Sequence, residues 1–374
     1  MIQAMLDVRN LPALTDRETM LDLLQREEYG YLPSAPDSLT WEEEASTPVC
    51  GGTATLTKLT MRGTVCGRPC AFPFYRAMPD DGADLPFFVF INFRDDIPDQ
   101  YYPLDAIMQQ GFAVLSLCYK DVTSDDNDFT NGVAGTLYPD GQRGATDAGK
   151  IAIWAWAIHR VMDYAQTLSR LNPRRGTVCG HSRLGKTALF AAATDPRFAI
   201  AYSNDSGCSG AAISRSKVGE TIADITQRFP FWFCPNYWAY AGREAETPFE
   251  QHMLIAAIAP RPVLVGSASE DEWADPVSEF LACAAASPAW EKLGLLPLRA
   301  SPSRVNWLTS STSPPTSLID RFSLSSASSK MRIPAIFPAM NFTSASPSPS
   351  SEPTSTMNPG PMLLTSSSPT VTEA

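Results

Sequence analysis

A serine set between glycines, Gly180-His181-Ser182-Arg183-Leu184-Gly185-Lys186, is where residue types and spacing in this chain first point to chemistry. A short apolar run, Gly176-Thr177-Val178-Cys179-Gly180, leads into it, and a helix-forming stretch from Lys186 to Ala193 leads out. A tight turn between strand and helix exposes Oγ, small neighbours permit the strained backbone, and the amino end of the helix favours developing negative charge. The main-chain N–H of Arg183 is placed to donate to that charge. The spacing, Gly-x-Ser-x-x-Gly, is one residue longer than the common Gly-x-Ser-x-Gly.

A nucleophilic serine also needs an acid and a base, and in this kind of arrangement the base follows the acid in chain order. Two acidic segments lie downstream, Asn204-Asp205-Ser206-Gly207 and Glu270-Asp271-Glu272-Trp273-Ala274-Asp275-Pro276. The chain has three histidines. His159 lies in an apolar helical stretch and reads as structural, and His181 adjoins the serine, where a tight turn points neighbouring side chains apart. His252 precedes both the last apolar strand and the second acidic segment. The expected base is therefore missing from its place beyond the last strand, and the chain as written is expected to turn over poorly.

The elements that must carry these residues follow from periodicity. Residues 16–29 read as an amphipathic helix, and residues 41–78 alternate polar and apolar positions as antiparallel strands, with turns at Gly51-Gly52 and Gly63. From residue 86 the pattern becomes short apolar runs, at 86–93, 112–119, 176–180, 199–205 and 261–269, as expected for strands buried on both faces of a parallel sheet. Helix-length stretches separate them, the clearest at 148–171. The order is that of an α/β fold, which carries its sites at the carboxyl ends of its strands. On that basis Asn92-Phe93, closing the first buried strand, occupies the usual place of a second oxyanion loop.

Composition narrows the classes. With 40 acidic and 29 basic residues the formal net charge is −11, which disfavours nucleic acid and anionic lipid as partners. No apolar run approaches the roughly 18 residues of a membrane span, and the first twenty residues lack the features of a secretory signal, so a cytoplasmic location is expected. Eight scattered cysteines suit reduced thiols, and the pair Cys66 and Cys70 has no second pair or histidines to complete a metal site. No metal or cofactor is expected. Past residue 296 roughly half of the residues are Ser, Thr or Pro. The division expected is a catalytic domain over 1–296 and a low-complexity, disordered tail over 297–374, which a shift of reading frame near Leu295 to Ala300 would explain.

Four ordered segments carry a resemblance to the glucuronoyl esterases, carbohydrate esterase family fifteen, of the bacterial type. They are Gly180 to Lys186, Asn204 to Gly207 with Gly210-Ala211, Phe249 to Leu254 followed by Ile258 to Pro262, and Glu270 to Pro276; the likeness extends over roughly residues 18–290. It implies an α/β-hydrolase fold, a mostly parallel central sheet flanked by helices, here with an incomplete C-terminal end. It also implies hydrolysis of the ester between a glucuronoyl group of xylan and a lignin alcohol, through an acyl-enzyme. Carried over by position, Ser182 is the nucleophile and Arg183 supports the oxyanion. Lys186 reaches sugar hydroxyls, Trp273 offers a flat face to a pyranose ring, and His252 lines the site. Asp205 and Asp271 are both open as the acid of the triad. Two rival readings remain: an acetylxylan or general carboxylesterase on the same fold, and a carbohydrate-binding relic without turnover.

Overall fold

The computed structural model describes residues 1–97 and 102–298. The tail expected from residue 297 lies, from residue 299 onward, outside the described residues. Eight strands form one sheet: β1 (Ser38–Val49), β2 (Ala54–Val65), β3 (Arg68–Pro79), β4 (Leu85–Asn92), β5 (Ala113–Cys118), β6 (Leu171–His181), β7 (Ile200–Asn204) and β8 (Val263–Gly266). Their order across the sheet is β1-β2-β3-β5-β4-β6-β7-β8. The first three form an antiparallel meander joined antiparallel to β5, and the rest run parallel. This mostly parallel sheet with flanking helices is the α/β-hydrolase architecture that the motifs implied.

The helices that matter below are α1 (Arg17–Leu24), α2 (Lys150–Ala165), α3 (Arg183–Thr194), α4 (Ile222–Arg228), α5 (Gln251–Ala256) and α6 (Pro276–Ala286). Asp16 caps α1 by accepting from the Thr19 amide at 2.9 Å, and a π-helical turn, Gln25–Tyr29, completes the expected helical segment. Strand β4 shows why the apolar runs are continuous. Phe87, Val89 and Ile91 pack with α2 and α3 in one core, while Phe88 and Phe90 pack with Leu104, Ile107 and Phe112 on the opposite face. Every second side chain is thus buried on each side, so neither face can be polar. Helix α2 is buried along nearly its whole length, which explains its unbroken apolar sequence.

Three boundaries differ from the reading by periodicity. Gly63 lies inside β2, where a Cβ would stand 2.5 Å from the Ser38 carbonyl oxygen of β1, and the turn falls instead at Cys66-Gly67. Helix α2 stops at Ala165, and β6 begins at Leu171, earlier than its apolar core, because Leu171 pairs with Leu85. Strand β8 is shorter than the apolar run at 261–269, since its pairing with β7 ends at Gly266.

Candidate active site

The chain leaves β6 at His181 and turns through Ser182 at φ 55° and ψ −127° before α3 starts at Arg183. Residues with a Cβ seldom occupy that region, and surrounding contacts must hold it. The Ser182 amide donates to the Asn204 carbonyl at 2.9 Å, and the Ser182 carbonyl accepts from the amides of Gly185 and Lys186 at 2.8 and 3.1 Å. The two glycines of the motif have separate steric roles. A Cβ on Gly180 would meet the Leu184 carbonyl oxygen at 2.2 Å, and one on Gly185 would meet Ser203 Oγ at 3.0 Å. Gly180 therefore lets the first turn of α3 cross β6, and Gly185 lets α3 settle against β7. The longer spacing marks these two contacts.

Register brings the remaining candidates to the same edge. His181 pairs with Asn204, and Asn204 pairs with Gly266, so Ser182, Asp205 and the loop from Ser267 leave three neighbouring strand ends. Adjacent strands lie about 4.8 Å apart, which puts the whole group within about 10 Å across the sheet. Asp205 Oδ1 accepts from the Ala268 amide at 3.1 Å, and the Asp271 carboxyl is near enough to act on it electrostatically. Burial raises the Asp205 pKa, and the neighbouring Asp271 carboxylate raises it further against the opposing pull of the Ala268 N–H. Asp271 Oδ1 in turn accepts from the Trp273 and Ala274 amides, each at 3.1 Å. The two acids left open by the sequence thus form one pair.

Beneath them lies Glu279 of α6, fully buried, which sequence reasoning did not single out. It accepts from the Gly207 amide at 2.8 Å and from the Ser206 and Ser267 hydroxyls. Burial pushes its carboxyl up to about 7, with those three donors acting in the other direction. Its position in an apolar helix, Pro276–Ala286, was the available signal: a lone carboxylate on such a face needs buried partners.

Two carried-over roles do not match the side-chain placement. Lys186, expected at sugar hydroxyls, is 3% exposed, and its ammonium donates to the Ser206 carbonyl beneath the turn. As the fourth residue of α3 it faces β7, so it braces the loop after Asp205. His252, expected to line the site, is 2% exposed with Nε2 against the Pro12 carbonyl at 3.0 Å, because α5 is covered there by the amino-terminal segment. Trp273 is 43% exposed, and the Arg228 guanidinium at the end of α4 stacks 4.8 Å from its ring centroid. At the proposed second oxyanion loop, the Phe93 amide donates to Asn92 Oδ1 at 2.8 Å.

All three histidines fall within the described residues. His159 Nε2 lies against the Ala191 carbonyl at 3.0 Å inside the α2–α3 packing. His181 Nδ1 meets the Asn204 amide nitrogen at 2.9 Å, and its ring lies edge-on to Phe93. Burial holds each of the three imidazoles down to about 4, so each is neutral at pH 7.

Arg183, next to the nucleophile, has an environment that the sequence did not announce. Its guanidinium pairs with Asp125, in the loop after β5, and lies 4.6 Å from the Trp232 ring centroid, 5.4 Å from Phe229 and 5.7 Å from Phe93. Trp232 Nε1 donates to Asp125 Oδ1 at 2.7 Å and Tyr119 Oη donates to Oδ2 at 3.0 Å. Three stretches far apart in sequence, 93, 119–125 and 229–232, meet at this one side chain.

A strained serine between a parallel strand and a helix, with acids at the next two strand ends, is the arrangement of the α/β-hydrolase class. The family profile described as "Glucuronyl esterase, fungi" matches residues 72–294, and the chain belongs to the glucuronoyl esterase family of carboxylic ester hydrolases. It is 43% identical over 195 residues to carbohydrate esterase MZ0003 from an unknown prokaryotic organism, covering 52% of this chain and 45% of that one. It is 29% identical over 285 residues to the 4-O-methyl-glucuronoyl methylesterase of Podospora anserina, covering 74% and 55%. The chain therefore spans about half the length of these curated relatives. Among solved structures, the glucuronoyl esterase from Solibacter usitatus superposes with a TM-score of 0.69 at 31% identity, over 76% of this chain and 86% of that one. Among the described residues no helix is long and apolar enough to cross a membrane.

Proposed function

We propose that this chain binds a 4-O-methyl-glucuronate ester of the xylan type and opens it through an acyl-enzyme at Ser182. The observation that carries this reading is the φ 55° serine flanked by Gly180 and Gly185 beside the Asp205–Asp271 pair, in a chain of this family. In the proposed reaction Ser182 Oγ attacks the ester carbonyl, the oxyanion forms near the Arg183 amide at the amino end of α3, and the alcohol leaves. Water then releases glucuronate. Asp205, Asp271 and Trp273 are the further residues assigned to this site, the first two as the acid and the last as a sugar platform, while Lys186 acts from below by bracing the loop of Asp205.

The serine also needs a proton acceptor. Each of the chain's three imidazoles contacts another group: His159 the Ala191 carbonyl, His252 the Pro12 carbonyl and His181 the Asn204 amide. That placement favours, as the second reading, a chain that binds the sugar ester and turns it over slowly. The test compares hydrolysis of methyl or benzyl glucuronate with that of an acetyl ester, using the purified chain and Ser182→Ala. Slow hydrolysis selective for glucuronate and abolished by Ser182→Ala supports the proposal. Binding without Ser182-dependent hydrolysis selects the relic, and preference for acetyl esters selects a general carboxylesterase.

A further inference from the structure

The loop Thr123 to Asn131 has no part in the esterase reading so far, yet its Asp125 reaches across to the residue that follows the nucleophile. Its carboxylate is well supplied with donors: Trp232 Nε1 on Oδ1, and Tyr119 Oη and Arg183 Nη1 on Oδ2. The side chain is 8% exposed, so the charge is compensated by these donors more than by water. The guanidinium is held on its flat side too. Trp232 and Phe229 stack on each other at 3.9 Å with planes 5° apart, and both rings stand within 5.4 Å of the Arg183 Cζ.

Arg183 is thereby fixed by one nitrogen and by its neighbours' rings. Its Nε is buried without a hydrogen-bond partner, and among the described residues Nη2 has no protein acceptor. A side chain 24% exposed, beside a nucleophile, with donors left over after its ion pair, is arranged to donate to something that arrives. We propose that Asp125 is a positioning residue. It sets the rotation of the Arg183 guanidinium so that Nη2 donates to the carboxyl oxygen of a glucuronate ester, or of the glucuronate product, at Ser182. The proposal rests on the reading of the site as a glucuronate-ester site.

Asp125→Asn tests this with a sign that simple electrostatics does not give. Removing a negative charge beside Arg183 should tighten the binding of an anion if Asp125 only offsets the arginine's charge. If Asp125 positions the guanidinium, the asparagine amide turns a donor toward Nη1, the fork swings away, and binding weakens. Sodium glucuronate and methyl glucuronate are the probes, titrated calorimetrically into the full chain, Asp125→Asn, Arg183→Gln and the double variant. The expected result is a loss of about tenfold in glucuronate affinity for Asp125→Asn, the size of one charge-assisted hydrogen bond, and no further loss when it is added to Arg183→Gln. Equal or tighter binding by Asp125→Asn overturns the proposal.

A ligand-free readout separates this failure from failure of the site reading. The Arg183 Nε–H signal in a nitrogen-15 spectrum, assigned by its loss in Arg183→Lys, should exchange slowly in the parent and quickly in Asp125→Asn, at a temperature well below the thermal midpoint of both. An unchanged signal overturns the positioning role whatever the ligand does. A released guanidinium with unaltered glucuronate binding leaves Asp125 purely structural and likewise overturns the proposal. Absence of binding of either probe by the parent overturns the glucuronate reading itself, and the role of Asp125 in it.

Discussion

Ser182 is strained, and the strain has a measurable sign. At an ordinary position glycine is less stable than alanine by roughly 0.5–1 kcal/mol, because it frees the unfolded chain. At φ 55° and ψ −127° the comparison changes, since a residue with a Cβ costs on the order of 1–3 kcal/mol there and glycine avoids most of that cost. Ser182→Ala keeps the Cβ and loses the hydroxyl; Ser182→Gly loses both. Subtracting the first quantity from the second leaves Ser182→Gly more stable than Ser182→Ala by about 1 kcal/mol, a difference of about 2 °C in midpoint for a domain of this size. Urea unfolding of the two variants, followed by tryptophan fluorescence with equal slopes confirmed, measures it. A glycine variant less stable than the alanine variant by the ordinary margin would refute the strain, and with it the argument that the fold holds this serine in a nucleophile's turn at a cost in stability.

Other outcomes follow from the same geometry. Gly180→Ala places a methyl 2.2 Å from the Leu184 carbonyl oxygen, so α3 must shift; a loss of about 1–3 kcal/mol in denaturant unfolding and loss of any Ser182-dependent hydrolysis are expected, and an unchanged midpoint would contradict the close crossing. If the missing element is a base, imidazole added at millimolar concentration should raise glucuronate-ester hydrolysis by the parent and not by Ser182→Ala; a rate that ignores imidazole after subtraction of its own background would argue that a protein group already serves. Glu28 is fully buried, accepts from Gln251 Nε2 at 3.0 Å through each of its two carboxyl oxygens, and is pushed up to about 8, chiefly by burial. Its folded pKa exceeds the unfolded value near 4.5, so the folded state binds the extra proton and this group's contribution is lost as pH rises from about 5 toward 8. Glu28→Gln should therefore flatten the fall in stability between pH 5 and pH 7 by up to about 3 kcal/mol, and parallel pH profiles for parent and variant would rule out the buried titration.

The sequence by itself determined the elements whose residues report their own surroundings. Continuous apolar runs at 86–93 and 112–119 declare strands covered on both faces, because a parallel sheet between helices has no wet side. Gly180, Ser182 and Gly185 declare a turn, because only those spaces admit a helix folded back over its own strand. The count of histidines was also legible, since a residue type that is absent leaves no geometry to resolve. Tertiary structure alone decided matters that depend on residues distant along the chain. Asp205 and Asp271 became one pair through the register of β7 with β8. Lys186 and His252 became buried because the Ser206 loop and the Pro12 segment close over them, and no local pattern distinguishes a lysine or histidine that meets a ligand from one that meets a carbonyl. Asp125 was invisible in a run of acidic residues that looks solvated. It acquires a role only when the loop after β5, the start of α3 and the Trp232 segment converge, and such convergence is set by the packing of the whole sheet and not by any stretch of it.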